Sequence, residues 1–195
     1  NTAADVLVAA DVINGGAGTD TINITLTNNK DFTAATLTNV SNIEKITVSD
    51  ADDATDEGLG KITIADANFV SVTGAVIDMT GMLDANSVAS IDLSAEDDST
   101  FIVTAGAAAS TIVGGQLADS ITGGAAADII TGGAGADTLI GGAGNDNFIY
   151  LLTADLFASS TTVDTTLTGG DGAADVIKIG TNATAFAIAN TDVWA

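Results

Sequence analysis

Residues 114–149 read GGQLADSIT (114–122), GGAAADIIT (123–131), GGAGADTLI (132–140) and GGAGNDNFI (141–149), four nine-residue units in tandem. Glycine fills positions one and two of every unit: Gly114, Gly115, Gly123, Gly124, Gly132, Gly133, Gly141 and Gly142. Position six is aspartate throughout: Asp119, Asp128, Asp137 and Asp146. Position eight is bulky and apolar: Ile121, Ile130, Leu139 and Phe148. A period of nine places no continuous stripe on an α-helix, and paired glycines weaken one. The pattern suits a tight turn followed by a short strand. Glycine permits positive φ and close backbone approach in the turn, and position eight points inward from the strand.

Two units then make one flattened coil of a solenoid, and units two apart stack on the same edge about 4.8 Å apart. That spacing sets Asp119 beside Asp137, and Asp128 beside Asp146. Carboxylates so close repel. No lysine or arginine lies between Lys61 and Lys178 to offset them. A hard divalent cation does so most simply. Calcium takes roughly six to eight oxygens in flexible geometry, and glycine-rich turns present carbonyls freely. The alternative is a glycine-rich solenoid without metal.

The run resembles the RTX, or haemolysin-type calcium-binding, nonapeptide repeat of secreted bacterial proteins. The resemblance implies an all-β fold, a right-handed parallel β-roll or β-solenoid with calcium-binding nonapeptide turns. It implies Ca2+ between same-edge turns, held by the aspartates and by turn carbonyls. Gly132, Ala134, Gly141 and Ala143, with Gly133, Gly135, Gly142 and Gly144, match the carbonyl donors, and Gly114, Gly115, Gly123 and Gly124 stand at the corresponding places of the first two units. Leu117 and Ala126 replace the glycine at position four, which predicts strained turns or a weaker ion there.

Composition narrows the function. Twenty-six acids against four lysines (Lys30, Lys45, Lys61, Lys178) give a net charge of −22 over 195 residues. Nothing could neutralise phosphates, so nucleic acid and anionic membrane surfaces are excluded as partners. The chain lacks Cys, His and Pro. A structural zinc site is therefore improbable, as are a Ser-His-Asp triad and an HExxH metal site. Carboxylate pairs could hydrolyse glycosides, but among 26 acids no pair can be singled out. We expect no enzyme. No stretch approaches ~18 uncharged apolar residues, so no membrane-inserted helix is expected. The chain starts at Asn1 without a signal peptide and reads as a processed product or a piece of a longer protein. Hydrophobic content of 46% with only 4% aromatics predicts a core of Ile, Val, Leu and Ala in thin layers.

The repeat has echoes on both sides. Residues 9–23 place Asp11 and Asp20 nine apart around Gly15 and Gly16, with Ile13 and Ile22 in the apolar position. One such coil needs a further turn to hold an ion; a plain loop between strands is the alternative. Beyond residue 149, Asp155 and Asp164 keep the nine-residue phase without glycines, and 150–158 could be a short helix or cap. Residues 169–177, GGDGAADVI, repeat the unit with one extra residue, and Asp171 and Asp175 could bind another ion. Phe186, Ile188 and Trp194 are candidates to cover the solenoid's end, whose layers would otherwise be open. Apolar β-branched runs at 22–26, 43–48, 61–65, 69–72, 76–79, 88–93 and 101–104 read as strands, and 31–39 as a short helix. The acidic clusters Asp50, Asp52, Asp53, Asp56, Glu57 and Glu96, Asp97, Asp98 read as solvated loops rather than extra calcium sites.

These readings divide the chain into an irregular β-rich segment at 1–104 with one early repeat turn, an RTX β-roll at 105–158, and a repeat-like segment and cap at 159–195. The segment NVSNIEKITV (39–48) resembles a piece common in surface-layer proteins that carry such repeats. The resemblances imply a secreted chain at the bacterial cell surface, exported by type I secretion, folding on calcium and assembling with itself as an S-layer, filament or adhesin subunit, with cell-surface polysaccharide as a further partner. A calcium-folded export module of a larger secreted enzyme is the alternative. Ice or carbohydrate binding through Thr21, Asn23 and Thr25 needs regular threonine ladders, which are sparse.

Overall fold

Alternation of inward and outward side chains, with a turn every few residues, builds two parallel sheets that the chain visits in turn. The computed structural model describes residues 12–26, 35–37, 39–50, 61–64, 68–83, 89–150, 164, 166–179 and 186–190. The strands are β1 (Ile13–Asn14), β2 (Thr21–Leu26), β3 (Ala35–Thr36), β4 (Val40–Ser41), β5 (Lys45–Asp50), β6 (Lys61–Thr63), β7 (Ala75–Gly81), β8 (Ala89–Asp92), β9 (Phe101–Thr104), β10 (Ser110–Val113), β11 (Ser120–Gly124), β12 (Ile129–Thr131), β13 (Thr138–Ala143), β14 (Asn147–Tyr150), β15 (Thr166–Asp171), β16 (Asp175–Ile179) and β17 (Phe186–Asn190). One sheet has seven strands in the order β15-β13-β11-β9-β7-β5-β2. The other has eight, β17-β16-β14-β12-β10-β8-β6-β3, and β1 pairs with β4. Every pairing is parallel except β16 with β17. The protein is a parallel β-roll, and no helix occurs among the described residues.

The core is the pair of ladders between the sheets. Ile46, Ile77, Val103, Ile121 and Leu139 stack in register in the seven-stranded sheet. Ile62, Ile91, Ile112, Ile130, Phe148 and Ile177 do so in the other. All eleven are buried. Each buried side chain of this size contributes about 1.5–3 kcal/mol relative to exposure. Phe69 and Phe101 fill the wider middle coils edge to face, with centroids 5.1 Å apart.

Two element expectations, one strand and one helix, need correction. Residues 69–71 form bends and Val72 lies in no strand, with Ser71 at φ 52°, because Phe69 turns into the core instead of alternating. In the 31–39 stretch, Ala35–Thr36 is a strand beside β6, where ladder pairing overrides the weak helix preference of alanine. Strand β9 pairs with β7 before it and β11 after it, so one sheet runs across residue 104. Strand β17 closes the eight-stranded sheet at one end. Trp194 and residues 151–158 lie outside the described residues, as do the acids at 52–57. Thr21, Asn23 and Thr25 are exposed on β2. No helix among the described residues is long and apolar enough to cross a membrane.

The coils leave two edges. Turns 93–100, 114–119 and 132–137 lead into the seven-stranded sheet and form the first rim. Turns 105–110, 123–128, 141–146 and 169–175 lead out of it and form the second.

Candidate metal centres on the two rims

Each rim is a column of acids made by strand register. The pairing Ser120↔Thr138 sets Asp119 against Asp137, and Ile129↔Asn147 sets Asp128 against Asp146. The expected neighbours therefore share rims. All four aspartates are buried, at 0–3% exposure. Each sends Oδ1 to the backbone of the coil before it. Oδ1 of Asp119 accepts the Phe101 amide at 2.8 Å, that of Asp128 accepts Ser110 at 2.6 Å, that of Asp137 accepts Asp119 at 2.8 Å, and that of Asp146 accepts Asp128 at 2.8 Å.

The second carboxylate oxygen identifies what the site is for. A Cβ added at Gly123 would lie 2.5 Å from both Asp128 Oδ2 and the Gly141 carbonyl oxygen. Two acceptors thus face each other across space that only glycine leaves open. On the first rim a Cβ on Gly114 would meet Asp119 Oδ2 at 2.9 Å and collide with the Gly132 carbonyl, but there Oδ2 also accepts the Gly115 amide at 2.8 Å. Oδ2 of Asp128 and of Asp146 is buried and receives no hydrogen bond. A buried carboxylate oxygen facing a carbonyl, with no donor between them, needs a proton or a cation.

Electrostatics agrees. Burial pushes the Asp128 and Asp137 carboxyls up to about 7, and those of Asp119 and Asp146 up to about 6, from an ordinary 3.8. Neighbouring charge adds to the rise: Asp146 beside Asp128, Asp164 and Asp119 beside Asp137, and Asp175 beside Asp146. Backbone amides oppose it but do not cancel it. Lysine does not help. Lys45 pairs with Asp78 at 3.5 Å on an outer face, and Lys178 is exposed on β16.

The donor set fits calcium. No three acidic, histidine or cysteine side chains converge among the described residues, so carbonyls must complete any ion's shell. Calcium accepts mixed carboxylate and carbonyl oxygen at high coordination number, and brings positive charge to both. Gly133 (φ 100°) and Gly142 (φ 103°) hold the left-handed backbone that brings successive turns together. Gly135 (φ 128°) and Gly144 (φ 115°) do the same at position four, flanking Ala134 and Ala143. Of the two outcomes expected at Leu117 and Ala126, left-handed strain is absent, since neither has positive φ.

The outlying candidates divide. Asp20 stacks on turn 41–44, its amide donating to Glu44 Oε2 at 2.7 Å, and its buried Oδ2 receives no hydrogen bond. The further turn that this early unit needs is thus supplied by residues outside the repeat. Asp11 and Asp155 lie outside the described residues. Asp175 is buried in the second-rim column, whereas Asp171 is exposed. Three residues escaped the sequence reading. Ser110 holds position six of a degenerate unit, AGAAASTIV (105–113), visible only once its register is known. Asp164 takes the Asp137 amide at 3.0 Å and is held by the Tyr150 hydroxyl at 2.6 Å; only its nine-residue phase hinted at this. Glu96 is fully buried on the first rim instead of solvated, and its carbonyl accepts the Gln116 amide at 3.0 Å. Asp98 accepts the Ser71 amide and hydroxyl, which hold its carboxyl below the usual range.

Comparison with known families agrees with this geometry. The RTX calcium-binding nonapeptide repeat matches in four copies, over residues 9–23 and 103–148. Those residues include Asp20 and the four rim aspartates, so these stretches match a calcium-binding repeat, and calcium is the ion they fit. No curated protein and no solved structure matches the chain.

Proposed function

We propose that this chain is a calcium-dependent structural protein of the bacterial cell surface, secreted without a stable fold and assembled with copies of itself outside the cell. The observation that carries this reading is the seven-stranded sheet. Its outermost strands, β2 and β15, each have a strand neighbour on one side only among the described residues. Both are six residues long, so each offers a ladder of backbone donors and acceptors for parallel pairing.

Three further features support it. RTX repeats are typical of secreted proteins. A chain whose buried carboxylates need calcium stays loose where calcium is scarce and folds where it is plentiful, by mass action. The surface-layer-like segment 39–48 lies in the roll as β4 and β5, with Ile43, Ile46 and Val48 buried. We further propose that the chain has no catalytic role, since its buried acids serve the rims and it has no histidine.

Sedimentation velocity and negative-stain electron microscopy in millimolar calcium and in chelator test the reading. Calcium should give concentration-dependent sheets or filaments that disperse on chelation. A single monomeric species in calcium at every concentration would instead favour an export module of a larger enzyme.

A further inference from the structure

The column of buried acids on the second rim continues to Asp175, past the matched repeats, which end at residue 148. We propose a third calcium site between turns 141–146 and 169–175. It fastens β15 and β16 to the roll across the break in the nonapeptide pattern at 150–168. The inference rests on the calcium reading of the two repeat gaps.

The break should have ruined the register. Asp175 follows Asp146 by 29 residues, where the repeats use 18, and its turn carries one residue too many. Yet each element of the repeat geometry returns. Oδ1 of Asp175 accepts the Asp146 amide at 2.9 Å. Gly170 has φ 97°, like Gly133 and Gly142, and a Cβ on it would collide with the Gly142 carbonyl as one on theirs would with the carbonyls of Gly115 and Gly124. A Cβ on Gly141 would collide with both Asp146 Oδ2 and the Gly169 carbonyl oxygen, the same facing pair of acceptors that Gly123 separates one coil earlier. Asp146 is fully buried, and this Oδ2 receives no hydrogen bond.

Asn145 absorbs the extra residue. Its Oδ1 accepts both the Ala173 and Ala174 amides at 3.2 Å, so the wider turn bulges on the outer side and the acid column stays in line. This also separates the two acids of the turn: Asp175 joins the column, and Asp171 faces solvent.

Anomalous diffraction from crystals of the whole chain grown in calcium reads the site directly. Peaks are expected in the Asp119–Gly132 and Asp128–Gly141 gaps and in the Asp146–Gly169 gap. Ions in the first two with none in the third would overturn the proposal and leave the repeat sites standing. Ions in none would remove the calcium reading itself. In native mass spectrometry at saturating calcium, Asp146→Asn, which removes the charge from the oxygen facing Gly169, should carry one ion fewer than the wild type. An unchanged count would refute the assignment. Should that variant fail to fold, the wild-type map decides alone.

Discussion

Remove calcium and vary pH, and the rims should report their protonation through stability. The four rim carboxyls titrate near 6 to 7 when folded, against an ordinary 3.8 when unfolded. Between those values the folded chain holds protons that the unfolded chain has released. Stability is therefore fully present below about pH 4 and is lost as pH rises through 6 to 7. At 1.36 kcal/mol per unit, holding Asp128 or Asp137 ionised costs about 4 kcal/mol, and Asp119 or Asp146 about 3. Together, with coupling between neighbours, the penalty is on the order of 10 kcal/mol, comparable to the whole stability of a domain. Urea unfolding of calcium-stripped protein, followed by far-UV circular dichroism, should give a midpoint that falls steeply from pH 5 to about 7 and leaves little folded protein above that. The double variant Asp128→Asn/Asp146→Asn should flatten that slope and, in chelator at pH 8, be several kcal/mol more stable than wild type. Asp97→Asn, which removes one exposed charge, should leave the slope almost unchanged. A wild-type midpoint that is level or rises from pH 5 to 8 would refute the reasoning, as would a double variant less stable than wild type in chelator.

Other perturbations follow from single contacts. With calcium bound, the pH sign reverses: the ion competes with protons for the same oxygens, so affinity measured by competition with a calcium-binding dye should weaken as pH falls from 7.5 to 6. Gly142→Ala puts a methyl against the Gly124 carbonyl at a residue with φ 103°; the left-handed strain and the clash should cost about 2–4 kcal/mol in calcium-saturated urea unfolding. Ile130→Ala empties a fully buried place in the ladder and should cost about 2–5 kcal/mol, whereas Ile129→Ala, 41% exposed next door, should change stability by less than about 0.5. Tyr150→Phe removes the hydroxyl on Asp164, and a loss of about 1–3 kcal/mol is expected in the same assay.

The roll was legible because period and chemistry agreed over 114–149. Glycine pairs fixed the turns, position eight fixed the inward face, and position six then had to stack, so register on both rims followed from counting. Counting fails where the coil length changes. Residues 9–23 showed a unit without a second turn. That turn is 41–44, where Glu44 caps Asp20 from sequence with no glycine pair. Likewise Asp164 reaches Asp137 after 27 residues, in phase but one unit late, and Asp175 reaches Asp146 after 29, out of phase, so neither has the 18-residue spacing of the repeats. Phe69 misled for a related reason: an apolar run can be a strand or a bend that sends one ring inward, and local sequence does not choose between them. Glu96 looked solvated because it heads an acidic run, yet its turn lies beneath Gly115, a neighbour set by the stacking alone.

The account stands on calcium, held by buried acids at both rims, being what keeps the roll folded near neutral pH. A calcium titration of stripped protein at pH 7.5, read by far-UV circular dichroism, measures this most directly. The β-signal should be weak in chelator, rise cooperatively with calcium and collapse again on chelation, with Asp128→Asn/Asp146→Asn shifting the curve. A wild-type β-signal equally strong in chelator and in calcium would contradict it.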